Sequence, residues 1–424
     1  MQKDRPKKAK RKINRHLRLV INLPVDLLGI ATHIIMSHMN IVTDAAQIEA
    51  LLTRGVEAVY PSKDFLRKLL LSGKQLTLYN GIDPTGPTLH IGHGITLHKL
   101  AQFQKLGHKI ILLIGDFTAM IGDPTDKAAA RVKLTREQVL ANASLYKEQA
   151  SHFLSFDGEN PAEFKHNSNW LGKMDFADVL ELASNFTVQQ MVERDMFANR
   201  IKESKPIYLH EFLYPAMQGY DSVAMDVDGE VGGNDQTFNM LAGRDLMKKL
   251  KNKEKFVLSG KLLVDPTGKK MGKSEGNMVA FSDSPSEMFG KVMSWPDTLM
   301  PLAYELCADK SVSEADPREA KLDLARTIVG NYFGANVAKD SEENWISTFS
   351  KGEMPTNIPE AKLSEGGTLG EILIARGLVS SGNEFRRLVD EGAISLDGAK
   401  ITDYKSLVKA GVCKVGKHRF IKVI

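Results

Sequence analysis

Tyr79-Asn80-Gly81-Ile82-Asp83-Pro84-Thr85-Gly86-Pro87-Thr88-Leu89-His90-Ile91-Gly92-His93 is the stretch on which the reading of this chain turns. Leu76, Leu78 and Ile82, interrupted by short polar residues, read as a strand, and Asp83 to Pro87 as a sharp turn. A helix then opens at the two histidines, with Ile95, Leu97, Leu100 and Phe103 continuing as an apolar stripe. The first N–H groups of a helix have no intrahelical partner and carry positive potential. A helix start flanked by His90 and His93 therefore suits an anion such as a triphosphate, without a Walker loop. A plain strand–turn–helix with two surface histidines would read the same way, so the rest of the chain has to decide.

Further along, Lys109 to Asp116 is a short continuous apolar run, the mark of a strand buried on both faces of a parallel sheet. Strand, helix, strand is a βαβ unit, and the fold expected is α/β: a Rossmann-like parallel-sheet catalytic domain, then an α-helical domain and a small α/β RNA-binding module. The expected boundaries are a basic extension at 1–38, the catalytic domain with N-terminal helices at 39–282, helices at 283–350, a linker at 351–365 and the module at 366–424. Two helices are expected between Thr43 and Leu71, the first carrying Ile48, Leu51, Leu52 and Val56. Glu137 to Phe153 and Val179 to Met191 read as helices, Phe164 to Asn167 and Val257 to Val264 as strands, and Gly229 to Gln236 as a glycine-rich turn. A helix is expected from Leu213 to Met225, with Pro215 in its first turn.

Of the 424 residues, 42% are hydrophobic and 25% charged, which fits a globular protein of two or three domains. No window is apolar enough to predict a transmembrane helix, so no membrane partner is expected. Cys307 and Cys413 are too few for a disulfide framework, which suits a reducing compartment. The formal charge of +4 is unevenly spread, because residues 1–38 hold nine Lys or Arg against Asp4 and Asp26. That head reads as a transit peptide, as a weak signal peptide or, preferred here, as residues ahead of a start at Met36 or Met39.

A second basic cluster, Lys269-Lys270-Met271-Gly272-Lys273-Ser274, is one residue short of a Walker A loop. Taken alone it could be a solvated turn. As a loop with two lysines and a hydroxyl after the last strand of the sheet, it can close over a triphosphate and neutralise charge as pyrophosphate leaves. Both motifs then reach the crevice at the carboxyl ends of the strands.

With these two motifs the chain from about Leu51 onward resembles the tyrosyl-tRNA synthetases of bacterial type, within the class I aminoacyl-tRNA synthetases. Ile121-Gly122-Asp123-Pro124, Tyr214-Pro215-Ala216-Met217-Gln218-Gly219-Tyr220-Asp221 and Gly232-Gly233-Asn234-Asp235-Gln236 carry the resemblance too. Tyr214, Gln218 and Asp221 are spaced to share one helix face, where an ordinary core helix would be apolar. The resemblance implies that Gln218, Tyr214 and Asp123 hold the ammonium of L-tyrosine, with Asp221 and Tyr79 on its phenolic hydroxyl. It also implies that Asp235 and Gln236 lie near the ribose and the carboxylate. A site built to pair a hydroxyl rejects phenylalanine because polar groups would be left unpaired, an effect for which tyrosine enzymes are the usual example.

The reaction implied is activation of L-tyrosine by ATP, entering with Mg2+ and without a tightly bound protein metal site, followed by transfer to tRNA(Tyr). Thr85, His90 and His93 would meet the nucleotide and its phosphates, and Lys270 and Lys273 the leaving pyrophosphate. Gly81, Asp83, Gly92, Asp235 and Ser274 would complete the ATP site, with Lys127 and Arg131 as helpers from the loop after Asp123. Asp126 stands where relatives commonly carry glycine, and Gly272 where serine is commoner. The last part of the chain resembles the RNA-binding module of the fourth small-subunit ribosomal protein. Residues 366–424 hold ten Lys or Arg against six Asp or Glu, and Arg386, Arg387, Lys414 and Lys417 are the expected phosphate contacts. A homodimer and a cytoplasmic location follow from the same resemblance, with an organellar one if the head is a transit peptide. The competing readings are a tryptophanyl enzyme, a simple nucleotidyltransferase and a catalytically inactive RNA-binding relative.

Overall fold

Six strands build the main sheet: β1 (Val56–Tyr60), β2 (Thr77–Ile82), β3 (Lys109–Ile114), β4 (Glu163–His166), β5 (Gly229–Gly233) and β6 (Phe256–Gly260). In this computed structural model they lie in the order β1-β6-β5-β2-β3-β4, parallel throughout except for β1, which runs antiparallel to β6 at one edge. The structure describes residues 41–124, 134–264, 278–311, 316–350, 360–362, 367–379, 381–405, 410–416 and 419–424. The chain passes outward from β2 to β3 and β4, then returns to place β5 on the other side of β2. That reversal is a topological switch point, and it opens a crevice at the carboxyl ends of β2 and β5. Asn80 ties the two strands together by donating to the Val231 carbonyl at 2.9 Å.

The expected parallel α/β sheet is present, with two differences in its strands. Val56 does not continue the first helix, which ends at Thr53; it begins β1, because Gly55 at φ +65° turns the chain before another helical turn can form. Gly229–Gly233 is a strand, where the glycines suggested a turn. Glycine is needed there for close approach: a Cβ on Gly229 would come within 2.1 Å of the Phe256 ring on the neighbouring strand.

Helix boundaries shift as well. The helix bearing Tyr214, Gln218 and Asp221 starts at Leu209, so Pro215 lies inside it and not in its first turn. Its start is set by Glu211, which accepts from the Tyr208 N–H at 2.6 Å and pairs with Arg200, while Tyr208 and Leu209 are exposed and show no apolar stripe. The stretches read as Glu137 to Phe153 and Val179 to Met191 are each two short helices, Arg136–Ala143 with Tyr146–Ala150 and Phe176–Ala183 with Val188–Val192. Thr135, Asp175 and Thr187 cap three of these by accepting from backbone N–H groups of the first turn.

One continuous apolar core runs from Ile48, Leu52 and Leu66 through Leu97, Leu100 and Phe103 to Phe289, Tyr304, Leu324 and Ile328. The helices Pro285–Met293, Pro317–Phe333 and Ala335–Ser350 are therefore packed into the same core as the sheet. Toward the chain's end, β8 (Ile394–Leu396), β9 (Ala399–Lys400), β10 (Gly411–Val415) and β11 (Arg419–Val423) form a second sheet with its own core of Leu369, Ile372, Phe385, Cys413, Val415 and Ile421. Within the stretch read as linker, Glu360–Ala361 forms β7, parallel to β11, and Ala361 is buried. Both cysteines are free thiols. Among the described residues no helix is long and apolar enough to cross a membrane.

Candidate active site

At the carboxyl end of β2 the chain turns through Asp83 and Thr85, whose N–H donates to the Asp83 carbonyl at 2.8 Å. The helix Ile91–Lys105 follows, with His90 as its N-cap. His90 Nδ1 accepts from the Gly92 N–H at 3.1 Å, and His93 Nδ1 accepts from the His90 N–H at 3.2 Å. Each histidine thus turns Nδ1 to the backbone and carries Nε2 on the far side of its ring, and the rings stand 4.0 Å apart between centroids. Gly92 is required beneath them, since a Cβ there would lie 2.9 Å from the His90 ring. The chain described again from Met278 binds this corner directly: Ile91 N–H donates to Val279 O at 3.0 Å and Phe281 N–H to Leu89 O at 2.9 Å, a bridge centred on His90 and Ala280. The return from the second basic motif is therefore pinned to the first.

Next to this corner lies a cluster of polar side chains, with Asp83 and Asp123 half-buried and Tyr214 and Asp116 buried. Asp83 accepts from the Thr118 hydroxyl at 2.7 Å and from the Tyr214 hydroxyl at 2.9 Å. Burial pushes its carboxyl up to about 7, with the Asp123 and Asp116 charges acting the same way and the two hydroxyls pulling against them. Asp123 accepts from Gln236 Nε2 at 2.7 Å and lies 3.4 Å from the Arg194 guanidinium. So the loops after β2, β3 and β5 converge through Asp83, Asp123 and Gln236, with Asp235 beside Gln236 in the short turn Asn234–Gln236.

Deeper in, Asp221 is 3% exposed and held on both oxygens, by Trp170 Nε1 at 2.7 Å and Asn167 Nδ2 at 3.3 Å. Burial raises its carboxyl well above the usual range in spite of these two donors. Tyr79 is fully buried, and its hydroxyl pairs with Ser222 Oγ at 2.9 Å, not with Asp221. Gln218 donates through Nε2 to Glu230 at 3.1 Å. Asp83 is thus joined to Tyr214, Asp123 to Gln236, and Asp221 to Asp83 through Asn167 and Thr118, while Tyr79 and Gln218 are held through Ser222 and Glu230 and Gly81 is exposed on β2.

Lys127, Arg131, Lys270, Lys273, Ser274 and Lys417 lie outside the described residues, as do Asp126, Gly272 and the whole of 1–40. Arg386, Arg387 and Lys414 are exposed on the second α/β unit. No group of three His, Cys, Asp or Glu among the described residues is arranged to hold a metal ion. Trp170, Asn167, Thr118, Ser222 and Arg194 take part in the site and do not stand out in the sequence. Asn167, directly after β4, could have been found from its place at a strand's carboxyl end. Arg194 gives no such signal.

Residues 71–350 match the family described as tRNA synthetases class I (W and Y), and residues 371–412 match the S4 domain. The chain belongs to that family of class I tRNA synthetases. It is 42% identical over 402 residues to a tyrosine–tRNA ligase of Carboxydothermus hydrogenoformans, covering 88% of this chain and 97% of that protein. To the tyrosine–tRNA ligase 2 of Vibrio cholerae it is 43% identical over 397 residues, covering 89% and 99%. Within the class it is a member of the tyrosine–tRNA ligases of bacterial type. A C-terminally truncated mitochondrial tyrosyl-tRNA synthetase of Aspergillus nidulans shares the fold, with a TM-score of 0.61 at 21% identity over 72% of this chain and 94% of that one.

Proposed function

We propose that the crevice at the β2–β5 switch point is where this ligase joins L-tyrosine to ATP before passing the tyrosyl group to tRNA(Tyr). The observation that carries the reading is the convergence of the His90–His93 corner, pinned by Val279–Phe281, with the buried pocket of Asp83, Tyr214 and Asp221. In the first step the tyrosine carboxylate attacks the α-phosphorus of Mg·ATP, the P–O bond to the β-phosphate breaks, and pyrophosphate leaves. In the second, the terminal adenosine hydroxyl of the tRNA attacks the tyrosyl carbonyl and AMP departs. No enzyme nucleophile is needed, so positioning and charge stabilisation carry the catalysis.

The Nε2 atoms of His90 and His93 suit them to donate to phosphate oxygens, together with Thr85 and the N–H groups at the helix start. Lys270 and Lys273 take the pyrophosphate, with Lys127 and Arg131 assisting. Asp123, Tyr214, Gln218 and Gln236 receive the ammonium and carboxylate of tyrosine, and Asp221 with Tyr79 receives its hydroxyl. The S4 match and the exposed Arg386, Arg387 and Lys414 support a role for the second unit in gripping tRNA phosphates.

The enzyme works as a homodimer in the cytoplasm on this reading. Phe176, Leu180, Val188 and Leu209 are 76%, 56%, 67% and 81% exposed, an apolar set that favours a covering partner. Light scattering should return twice 46.9 kDa, and a monomer mass would remove this part. The main reading is tested by ATP–pyrophosphate exchange with tyrosine, phenylalanine and tryptophan supplied separately. Exchange is expected with tyrosine alone. Exchange driven by tryptophan, or none by tyrosine in folded protein, would overturn it.

A further inference from the structure

We infer that the buried Glu230–Lys255 ion pair is the positioning device of the amino-acid pocket: it dictates which end of the Gln218 amide meets the substrate ammonium and anchors the Tyr79 hydroxyl. The inference rests on the reading of Gln218 and Tyr79 as tyrosine-binding residues. Glu230 on β5 is 2% exposed, and Lys255, just before β6, is 0% exposed. The Lys255 ammonium donates to Glu230 Oε2, to Ser222 Oγ at 2.7 Å and to the Met240 carbonyl at 3.2 Å, which uses its three N–H groups. The ammonium also stands 5.6 Å over the Tyr79 ring. Glu230 Oε1 accepts from Gln218 Nε2 at 3.1 Å, and Ser222 Oγ pairs with the Tyr79 hydroxyl at 2.9 Å.

The chemistry of Glu230 fixes the amide. Glu230 accepts from the Lys255 ammonium on Oε2 and from Gln218 Nε2 on Oε1, so Gln218 presents its NH2 group to Glu230 and its carbonyl oxygen on the opposite side. A carbonyl oxygen is what an ammonium needs; the reversed amide would oppose it with a second donor. As glue for the sheet, the pair is a poor choice, because two buried charges lose their hydration and a well-packed apolar pair in their place is often neutral or more stable. What an apolar pair could not supply is the hydrogen bonds to Gln218 and, through Ser222, to Tyr79.

The test replaces both charges together, Glu230→Gln with Lys255→Gln, so that no lone buried charge remains. A glutamine at 230 can donate or accept and no longer imposes one orientation on Gln218. In ATP–pyrophosphate exchange the KM for tyrosine is expected to rise about tenfold, the effect of one hydrogen bond to a charged group, with kcat and the KM for ATP little changed. Inhibition by 3-(4-hydroxyphenyl)propionate, which has no ammonium and senses only the anchoring of Tyr79, should weaken clearly less than tyrosine does. An unchanged KM for tyrosine in the folded double variant would overturn the proposal, and so would equal weakening of the propionate, which marks a merely structural role. Gln218→Ala in the same assay separates the levels: if it leaves the tyrosine KM unchanged, the reading of Gln218 itself has failed. Should the double variant not fold, Ser222→Ala removes the hydroxyl that joins Lys255 to Tyr79 and leaves the Glu230–Gln218 hydrogen bond in place. It should lower the preference for tyrosine over phenylalanine about tenfold, and an unchanged preference would overturn the proposal.

Discussion

The two halves of the crevice are built on opposite plans. In the proposed amino-acid half, Asp221, Tyr79 and Tyr214 each have protein partners, among them Trp170, Asn167, Ser222 and Asp83. In the phosphate half, the backbone is pinned by the Val279–Phe281 bridge, but His90 and His93 spend Nδ1 on the helix cap and carry Nε2 on the far side of the ring. A pocket of buried, paired polar groups discriminates between amino acids, because a wrong one leaves such groups unpaired. The histidine corner is proposed to act instead on charge that grows as the reaction proceeds. On the proposed reading, selection and activation belong to different residues on either side of a common strand end.

That division can be broken by substitution. The largest effect is expected from His90→Ala, which removes a donor to the developing phosphate charge: the exchange rate should fall on the order of 10²–10³-fold with tyrosine affinity nearly intact, as single-turnover kinetics and equilibrium dialysis would record. Asp221→Ala should act the other way, weakening tyrosine about 10- to 100-fold and eroding its preference over phenylalanine, because Trp170 and Asn167 lose their shared acceptor and the substrate hydroxyl its partner. The smallest effect concerns pH. The folded carboxyl of Asp83 is pushed up to about 7 against about 3.9 in the unfolded chain. The native state therefore holds the extra proton between these values, and the contribution of Asp83 to stability is complete below about pH 4 and lost as pH rises through 7. Thermal unfolding from pH 5 to 8 should show a shallower fall for Asp83→Asn than for the parent. Parallel curves would show that Asp83 titrates as an ordinary carboxylate.

The sequence was readable where one physical signal dominates. The apolar run Lys109–Ile114 has the length and composition of a buried strand, and the i, i+4, i+7 spacing of Tyr214, Gln218 and Asp221 places them on one helix face. It was misread where long-range packing overrides local preference. Gly229–Gly233 looks like a turn until Phe256 is known to lie over Gly229, and Val56 looks helical until Gly55 redirects the chain. The residues that hold the pocket stayed hidden for a related reason. Trp170 and Ser222 acquire their roles only when segments far apart in sequence bring them to Asp221 and Tyr79, and no spacing within the chain encodes that meeting, whereas Asn167 is signalled only by its place at the end of β4.

The claim that selection and activation are carried by separate residues is tested most directly by measuring tyrosine affinity and exchange rate on the same preparations of His90→Ala and Asp221→Ala. The expected result is a crossed pattern: His90→Ala binds tyrosine like the parent and exchanges slowly, while Asp221→Ala binds tyrosine poorly and, at saturating tyrosine, recovers most of its rate. If affinity and saturated rate fall together in both variants, the two halves of the crevice act as one unit and the account is wrong.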